Sequence, residues 1–147
     1  MDITIRSIRP DDAAPWRDLW TAYLDFYETS VPDNVYQITL GRLCSTDHPD
    51  QNGLMALRGD APVGLVHYIY HPHNWRPEKV CYLQDLYIAP SERGRGLGRH
   101  LIEAVYDRAD ADGCPSVYWL TQDFNTPARR LYDRVGKLTP FIKYTRP

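Results

Sequence analysis

Cysteine is scarce in this chain, with three among 147 residues, at positions 44, 81 and 114. An odd, widely spaced set supports neither a disulfide framework nor a C-x-x-C metal knuckle, and it points to a reducing compartment. Cys81 and Cys114 have no neighbouring histidine to lower a thiol pKa, so they read as small packing residues. Long apolar runs are missing too: nothing approaches the roughly 20 residues that cross a bilayer. No basic and apolar leader precedes the polar Thr4 and Arg6, and a soluble, cytoplasmic protein is expected. The formal net charge is only −2, which gives no electrostatic footprint for a nucleic-acid partner. His67, His71 and His73 are close in sequence, but no cysteine or carboxylate nearby completes a tetrahedral set, and no metal is expected. Two familiar phosphate loops are absent as well. There is no G-x-x-x-x-G-K-[ST], and a dinucleotide G-x-G-x-x-G from Gly94 needs glycine at position 99, where Arg99 stands.

What the chain does have is Arg93-Gly94-Arg95-Gly96-Leu97-Gly98, between an apolar strand-like run at 81–89 and a helix-like run beginning near Leu97. Glycines at alternate positions let the backbone turn sharply and aim its N–H groups at one concave point. The positive end of the following helix adds attraction for anions. Arg93, Arg95 and Arg99, with His100, flank this cradle, so a phosphate-bearing ligand fits it.

The rest of the chain alternates without repeats, and one domain over residues 1–147 is expected. Ile3, Ile5 and Ile8 suggest an opening strand. Trp16, Leu19, Trp20, Tyr23 and Leu24 recur at helical spacing after Pro10-Asp11-Asp12, and a second short helix is expected at 36–43. Residues 54–57 and 62–70 read as a hairpin around Arg58-Gly59-Asp60-Ala61, followed by a proline-rich loop at 71–77. Leu97, Leu101, Val105 and Ala109 make one stripe of the helix after the cradle. In the run 125–136, Asn125 or Thr126 suits a helix cap, Pro127 the first turn and Gly136 the stop. Tyr132 falls on the apolar face of that helix, where periodicity alone favours a core residue. The terminal residues 141–144 alternate like an edge strand that pairs within the monomer or with a second chain.

Arg93, Gly96 and Gly98 fill the pattern [RQ]-x-x-G-x-[GA] between a strand and an amphipathic helix. That arrangement closely resembles the acetyl-CoA-binding motif of the GNAT N-acetyltransferases. Asn125, Ala128, Leu131, Tyr132 and Gly136 are similar to the family's second motif, N-x-x-A-x-x-L-Y-x-x-x-G, and they follow in the right order. The strand at 82–87, Tyr-Leu-Gln-Asp-Leu-Tyr, is nearest to the spermidine/spermine (diamine) and histone/polyamine types. The resemblance implies an α/β (α+β) fold, a mixed and mostly antiparallel sheet of six or seven strands flanked by about four helices. It implies acetyl-CoA as cosubstrate, with no metal, held by Leu86, Tyr87, Ile88, Arg93, Gly94, Arg95, Gly96, Leu97, Gly98, Arg99, Asn125 and Tyr132. Homodimers are a further implication.

The activity implied is acetyl transfer to a primary amine of a small molecule or a lysine side chain, by direct attack in a ternary complex. By the same resemblance, Tyr132 is the acid that protonates the departing thiolate. A backbone N–H near a bulge at Leu86, Tyr87 or Ile88 stabilises the developing oxyanion. Tyr23, Phe26, Tyr27, Glu28 and Asp33 are candidate walls of the acceptor site, with Gln84 and Asp85 on the strand. Acidic walls of Asp25, Glu28, Asp33 and Asp85 would favour a small cationic amine. Gln84 stands where the polyamine enzymes have a glutamate, and an amide is no base. Asp85, a water chain or a partly neutral substrate amine remains for deprotonation, and Asp85 reads equally well as a structural partner. That departure also leaves open a non-catalytic acyl-CoA-binding module.

Overall fold

The computed structural model describes residues 2–147. Four antiparallel strands follow in chain order, β1 (Ile3–Ser7), β2 (Gln51–Arg58), β3 (Ala61–His73) and β4 (Arg76–Ile88), with the apolar runs of β2 and β3 buried on both faces, and a short fifth, β5 (Val117–Tyr118), runs parallel to β4. Helices α1 (Ala13–Phe26) and α2 (Asp33–Leu43) follow β1, α3 (Leu97–Ala111) follows β4, and α4 (Thr126–Val135) follows β5. The class is the expected mixed sheet with flanking helices. Its sheet has five strands rather than six or seven.

Two apolar cores lie on opposite faces of the sheet. One joins Leu54, Val66, Tyr68, Cys81 and Leu83 to the α3 stripe Leu97, Leu101, Ile102, Val105 and Ala109. The other joins Met55, Leu57 and Leu65 to Trp16, Trp20 and Leu24 of α1 and Tyr36 of α2. Each large side chain fully buried in this way contributes roughly 1.5–3 kcal/mol. The thiols of Cys81 and Cys114 are buried in the α3-side core, and burial pushes Cys81 up to about 12. At the entry to α1, Arg6 grips Asp12 through both guanidinium nitrogens at 2.8 and 2.9 Å, while the Arg9 N–H donates to the same carboxylate at 2.7 Å.

Three elements depart from the pattern read in the sequence. The segment 71–77 is no loop. β3 and β4 continue through it, with His71 opposite Val80 and His73 opposite Arg76, and the chain reverses at Asn74-Trp75. Pro72, which has no N–H for the ladder, falls in the register shift between His71 and His73. Residues 117–121, an apolar run that the sequence suggests as one strand, pair only over Val117–Tyr118. The terminal run forms no strand in the monomer, and Phe141, Ile142 and Tyr144 are 80%, 78% and 87% exposed. Two paired residues in β5 offer too short an edge to hold it.

Candidate active site

The site lies where β4 and β5 part. The Cys81 N–H donates to the Ser116 carbonyl at 2.8 Å, and pairing with β5 ends after Tyr82. Beyond that point one edge of β4 is open. The Ala89 N–H donates to Val63 on the β3 side at 2.9 Å, so by strand alternation the N–H and C=O groups of Leu86 and Ile88 face the open edge. Cys81 and Ala89 therefore aim their amides at opposite edges despite being an even number of residues apart. An extra residue must intervene.

That residue is Gln84. His67 pairs with Asp85 and Tyr68 with Leu83, which leaves Gln84 unpaired in a bulge. The bulge expected around Leu86 to Ile88 thus lies upstream of them. It also exchanges the faces of the strand. Cys81 and Leu83 lie in the α3-side core, and so do Leu86 and Ile88, while Tyr87 packs on the α1 side. Without the bulge Asp85 would share the apolar α3 face with Leu83. With it, Asp85 faces α1 and the His67 imidazole, and the Gln84 side chain is exposed.

After β4 the chain takes a short 3-10 turn at Pro90–Glu92 and enters the glycine cradle. Gly94 and Gly96 both adopt φ of +79°, a left-handed conformation that side chains disfavour, and Gly96 is the N-cap of α3. Gly98 has a different reason to be glycine: a Cβ there would come within 3.0 Å of Leu131 on α4. The first free N–H groups of α3 therefore open onto a cleft closed on its far side by α4. Arg93 is fixed beside the cradle, its Nε donating to the Ile88 carbonyl at 3.0 Å and its guanidinium lying 5.4 Å from the Tyr87 ring centroid. Arg58 holds the buried Glu92 through hydrogen bonds of 2.9 and 2.7 Å, and this charge pairing keeps the Glu92 carboxyl below its usual range. Arg99 pairs with Glu103 at 3.0 Å.

One cavity of about 640 Å³ joins these parts. Its walls include Leu86, Tyr87 and Ile88 from β4, residues 93, 94 and 96–99 from the cradle, Asn125 and Tyr132 from α4, and Tyr23, Phe26 and Tyr27 from α1 and its C-cap. Asn125 caps α4, its side-chain oxygen accepting from the Ala128 N–H at 3.4 Å. Tyr132 packs edge-on against Trp119, centroids 5.5 Å apart, and burial pushes its phenol up to about 12. It is a protonated donor at neutral pH. A second cavity, of about 620 Å³, lies between β5, α4 and the residues after it, and Tyr132 borders both.

The acidic residues read as acceptor walls do not gather. Asp25 and Glu28 are exposed, and Asp33 at the start of α2 pairs with Arg17 at 2.6 Å. Only Asp85 stands behind the cavity wall. It is 7% exposed, and its Oδ2 lies 2.8 Å from His67 Nδ1. Tyr23 lies between it and the cavity: the Tyr23 hydroxyl donates to the Gln84 carbonyl at 3.5 Å, and burial first, then the nearby Asp85 charge, raise the phenol well above its ordinary value. The negative charge of Asp85 also raises Tyr27 and Tyr82, in each case less than burial does.

The histidines considered as metal ligands separate. His71 Nε2 lies 2.8 Å from the Tyr118 hydroxyl, His73 accepts from the Trp75 N–H at 3.1 Å, and His67 is 4% exposed between Asp85 and Trp16. Among the described residues no three His, Cys, Asp or Glu side chains gather into a metal site. His67 and Trp16 are the site residues that sequence reasoning missed. The available signal was an imidazole in an otherwise apolar strand, which calls for a buried partner.

A model of the Acetyltransferase (GNAT) family matches residues 14–136, and the chain belongs to that family of acetyltransferases. It is an N-acetyltransferase. It is similar to the D-amino-acid N-acetyltransferase HPA3 of Saccharomyces cerevisiae, 38% identical over 146 residues that cover 98% of this chain and 90% of that protein. The thialysine N-epsilon-acetyltransferase of Bos taurus is 32% identical over 79 residues, covering 54% of this chain and 46% of that one. The structure of AAC(6')-Iy in complex with the bisubstrate analog CoA-S-monomethyl-acetylneamine superposes with a TM-score of 0.86, covering 100% and 99% of the two chains at 19% identity, a likeness of fold.

Proposed function

We propose that the protein, acting as one domain over residues 1–147, transfers an acetyl group from acetyl-CoA to the primary amine of a small molecule, by direct attack in a ternary complex. The observation that carries this reading is the single cavity running from the glycine cradle past Leu86 and Tyr132 to Tyr23 and Tyr27. A diphosphate fits the N-terminal amides of α3, where Gly96 supplies the left-handed cap and Gly98 the close approach to α4. The open edge of β4 at Leu86 and Ile88 fits an extended pantetheine arm by adding a strand's hydrogen bonds.

Bound acetyl-CoA supplies an activated thioester. At that thioester the Leu86 N–H stabilises negative charge developing on the carbonyl oxygen. Asp85 accepts a proton from the acceptor's ammonium through the Tyr23 hydroxyl, which gives its own proton to the carboxylate as it takes the substrate's. The freed amine forms the C–N bond, the C–S bond breaks, and Tyr132 protonates the departing sulfur. The second proton of the nitrogen restores Tyr132, and the proton on Asp85 leaves to solvent.

The first acceptor class to test is the α-amine of D-amino acids, the activity for which the yeast relative is named. Polyamines, aminoglycosides and lysine side chains are the comparison classes. The experiment is CoA release from acetyl-CoA across these amines, with the N-acetyl product identified by mass. Turnover with at least one class supports the reading, and none with any class refutes it.

Two further proposals concern setting. The free thiols of Cys44, Cys81 and Cys114 suit the reducing cytoplasm. The exposed apolar residues Phe141, Ile142 and Tyr144 suit a homodimer, which light scattering giving a monomer mass would remove.

A further inference from the structure

We propose that Trp16 and His67 are positioning residues for the transfer, which lock Asp85 as an acceptor facing Tyr23 with no cation to share its charge. The proposal rests on the acetyl-transfer reading above and concerns residues that touch no substrate.

An indole nitrogen can only donate. Trp16 Nε1–H lies 3.0 Å from His67 Nε2, so that ring nitrogen accepts and carries no hydrogen. The imidazole hydrogen is then on Nδ1, 2.8 Å from Asp85 Oδ2, to which it donates. Adding a proton to Nε2 would set two donors face to face where Trp16 is 1% and His67 4% exposed, away from bulk solvent. His67 is thereby kept as a neutral donor. An imidazolium at that place would neutralise Asp85 and remove its pull on the Tyr23 proton.

The surroundings fix this arrangement. Trp20 stacks on Trp16 with centroids 5.3 Å apart and packs edge-on against the His67 ring at 5.4 Å, and Tyr36 packs edge-on against both tryptophans. Gly53 lies directly across the sheet from His67, and a Cβ there would come within 3.3 Å of the imidazole and 2.5 Å of Ile8. The titratable groups that face Asp85 are His67 from β3, Tyr23 from α1, Tyr27 from its C-cap and Tyr82 from β4 itself. Among the described residues no lysine or arginine forms an ion pair with it. A buried carboxylate whose strongest partner is a neutral donor, set behind a tyrosine of the cavity wall, is built to take a proton and return it.

The test uses the full chain with the best amine of the acceptor panel. Nitrogen-15 spectra of the parent under the assay conditions should show the His67 hydrogen on Nδ1 and none on Nε2. His67→Leu should lower kcat about 10- to 100-fold with CoA affinity unchanged. His67→Asn, whose amide N–H replaces Nδ1–H, should restore kcat to within about threefold of the parent. Trp16→Phe should let Nε2 take up a proton and lower kcat with it. A hydrogen on Nε2 in the parent, parental kcat in His67→Leu, or an Asn variant as slow as Leu overturns the proposal. If the Leu variant does not fold, the Asn and Phe variants and the parent spectrum decide it. A parent inactive with every amine is a different result, which overturns the acetyl-transfer reading itself.

Discussion

The imidazole of His67 and the carboxylate of Asp85 meet at 2.8 Å because Gln84, one residue too many for the ladder, turns Asp85 onto the face of β4 that looks toward α1. The same bulge leaves Leu86 and Ile88 with their amides on the open edge of the sheet. A single extra residue therefore places both the carboxylate proposed as proton acceptor and the backbone groups expected to hold the thioester arm.

Gly53→Ala tests the room kept for His67. The added Cβ would come within 2.5 Å of Ile8 and 3.3 Å of His67, so one side chain must shift. Overpacking of this kind costs about 1–3 kcal/mol, read from the urea midpoint, and kcat should fall with it. Parental stability and rate together would contradict the packing described here.

Gly96→Ala tests the cradle. Left-handed backbone at φ +79° costs a residue with a side chain roughly 1–2 kcal/mol. If the loop relaxes to escape that strain, CoA affinity drops about 5- to 30-fold by calorimetry. If the loop holds, the loss appears in stability instead, and a variant unchanged in both would count against the assigned geometry.

Tyr132→Phe removes the hydroxyl and keeps the ring against Trp119. Because burial pushes the phenol up to about 12, it is a donor throughout the neutral range. Loss of a general acid should lower kcat about 100-fold while CoA affinity is retained. Unchanged kcat on a responsive amine would leave Tyr132 as a packing residue.

Asp12 supplies a pH dependence of stability. Arg6 lowers its carboxyl below the ordinary value of 3.8, followed in effect by the Arg9 N–H, against an opposing burial. A carboxyl depressed in the folded state contributes stability that is complete above the unfolded value and is lost as pH falls through the folded one. Arg6→Ala should cost about 1–3 kcal/mol at neutral pH, since it leaves Asp12 short of its partner. The gap between variant and parent should close as acid protonates Asp12, and urea titrations at several pH values check it.

Much of this was legible in the sequence because it depends on local chemistry. The stripe from Leu97 to Ala109 and the glycines at 94, 96 and 98 specify a helix and the tight turn that opens it with few alternatives. Asn125, Pro127 and Gly136 likewise bound α4. The Trp16–His67–Asp85 chain was not legible, since it joins residues 51 and 18 positions apart through a register that one bulge decides. Residues 71–77 looked like a loop because proline usually ends strands, yet Pro72 sits where the register already slips. Asp33 looked like part of an acidic wall because nothing in sequence places Arg17 beside it.

The central claim is that CoA occupies the cradle cavity rather than the comparably large cavity beside β5. Amide chemical shifts recorded while CoA is titrated into the protein separate the two. The largest changes are expected at Gly94, Gly96, Leu97 and Gly98 and at the Leu86 and Ile88 amides, with those at 137–143 nearly still. Changes centred on Lys137, Thr139 and Lys143, with the cradle unmoved, would contradict it.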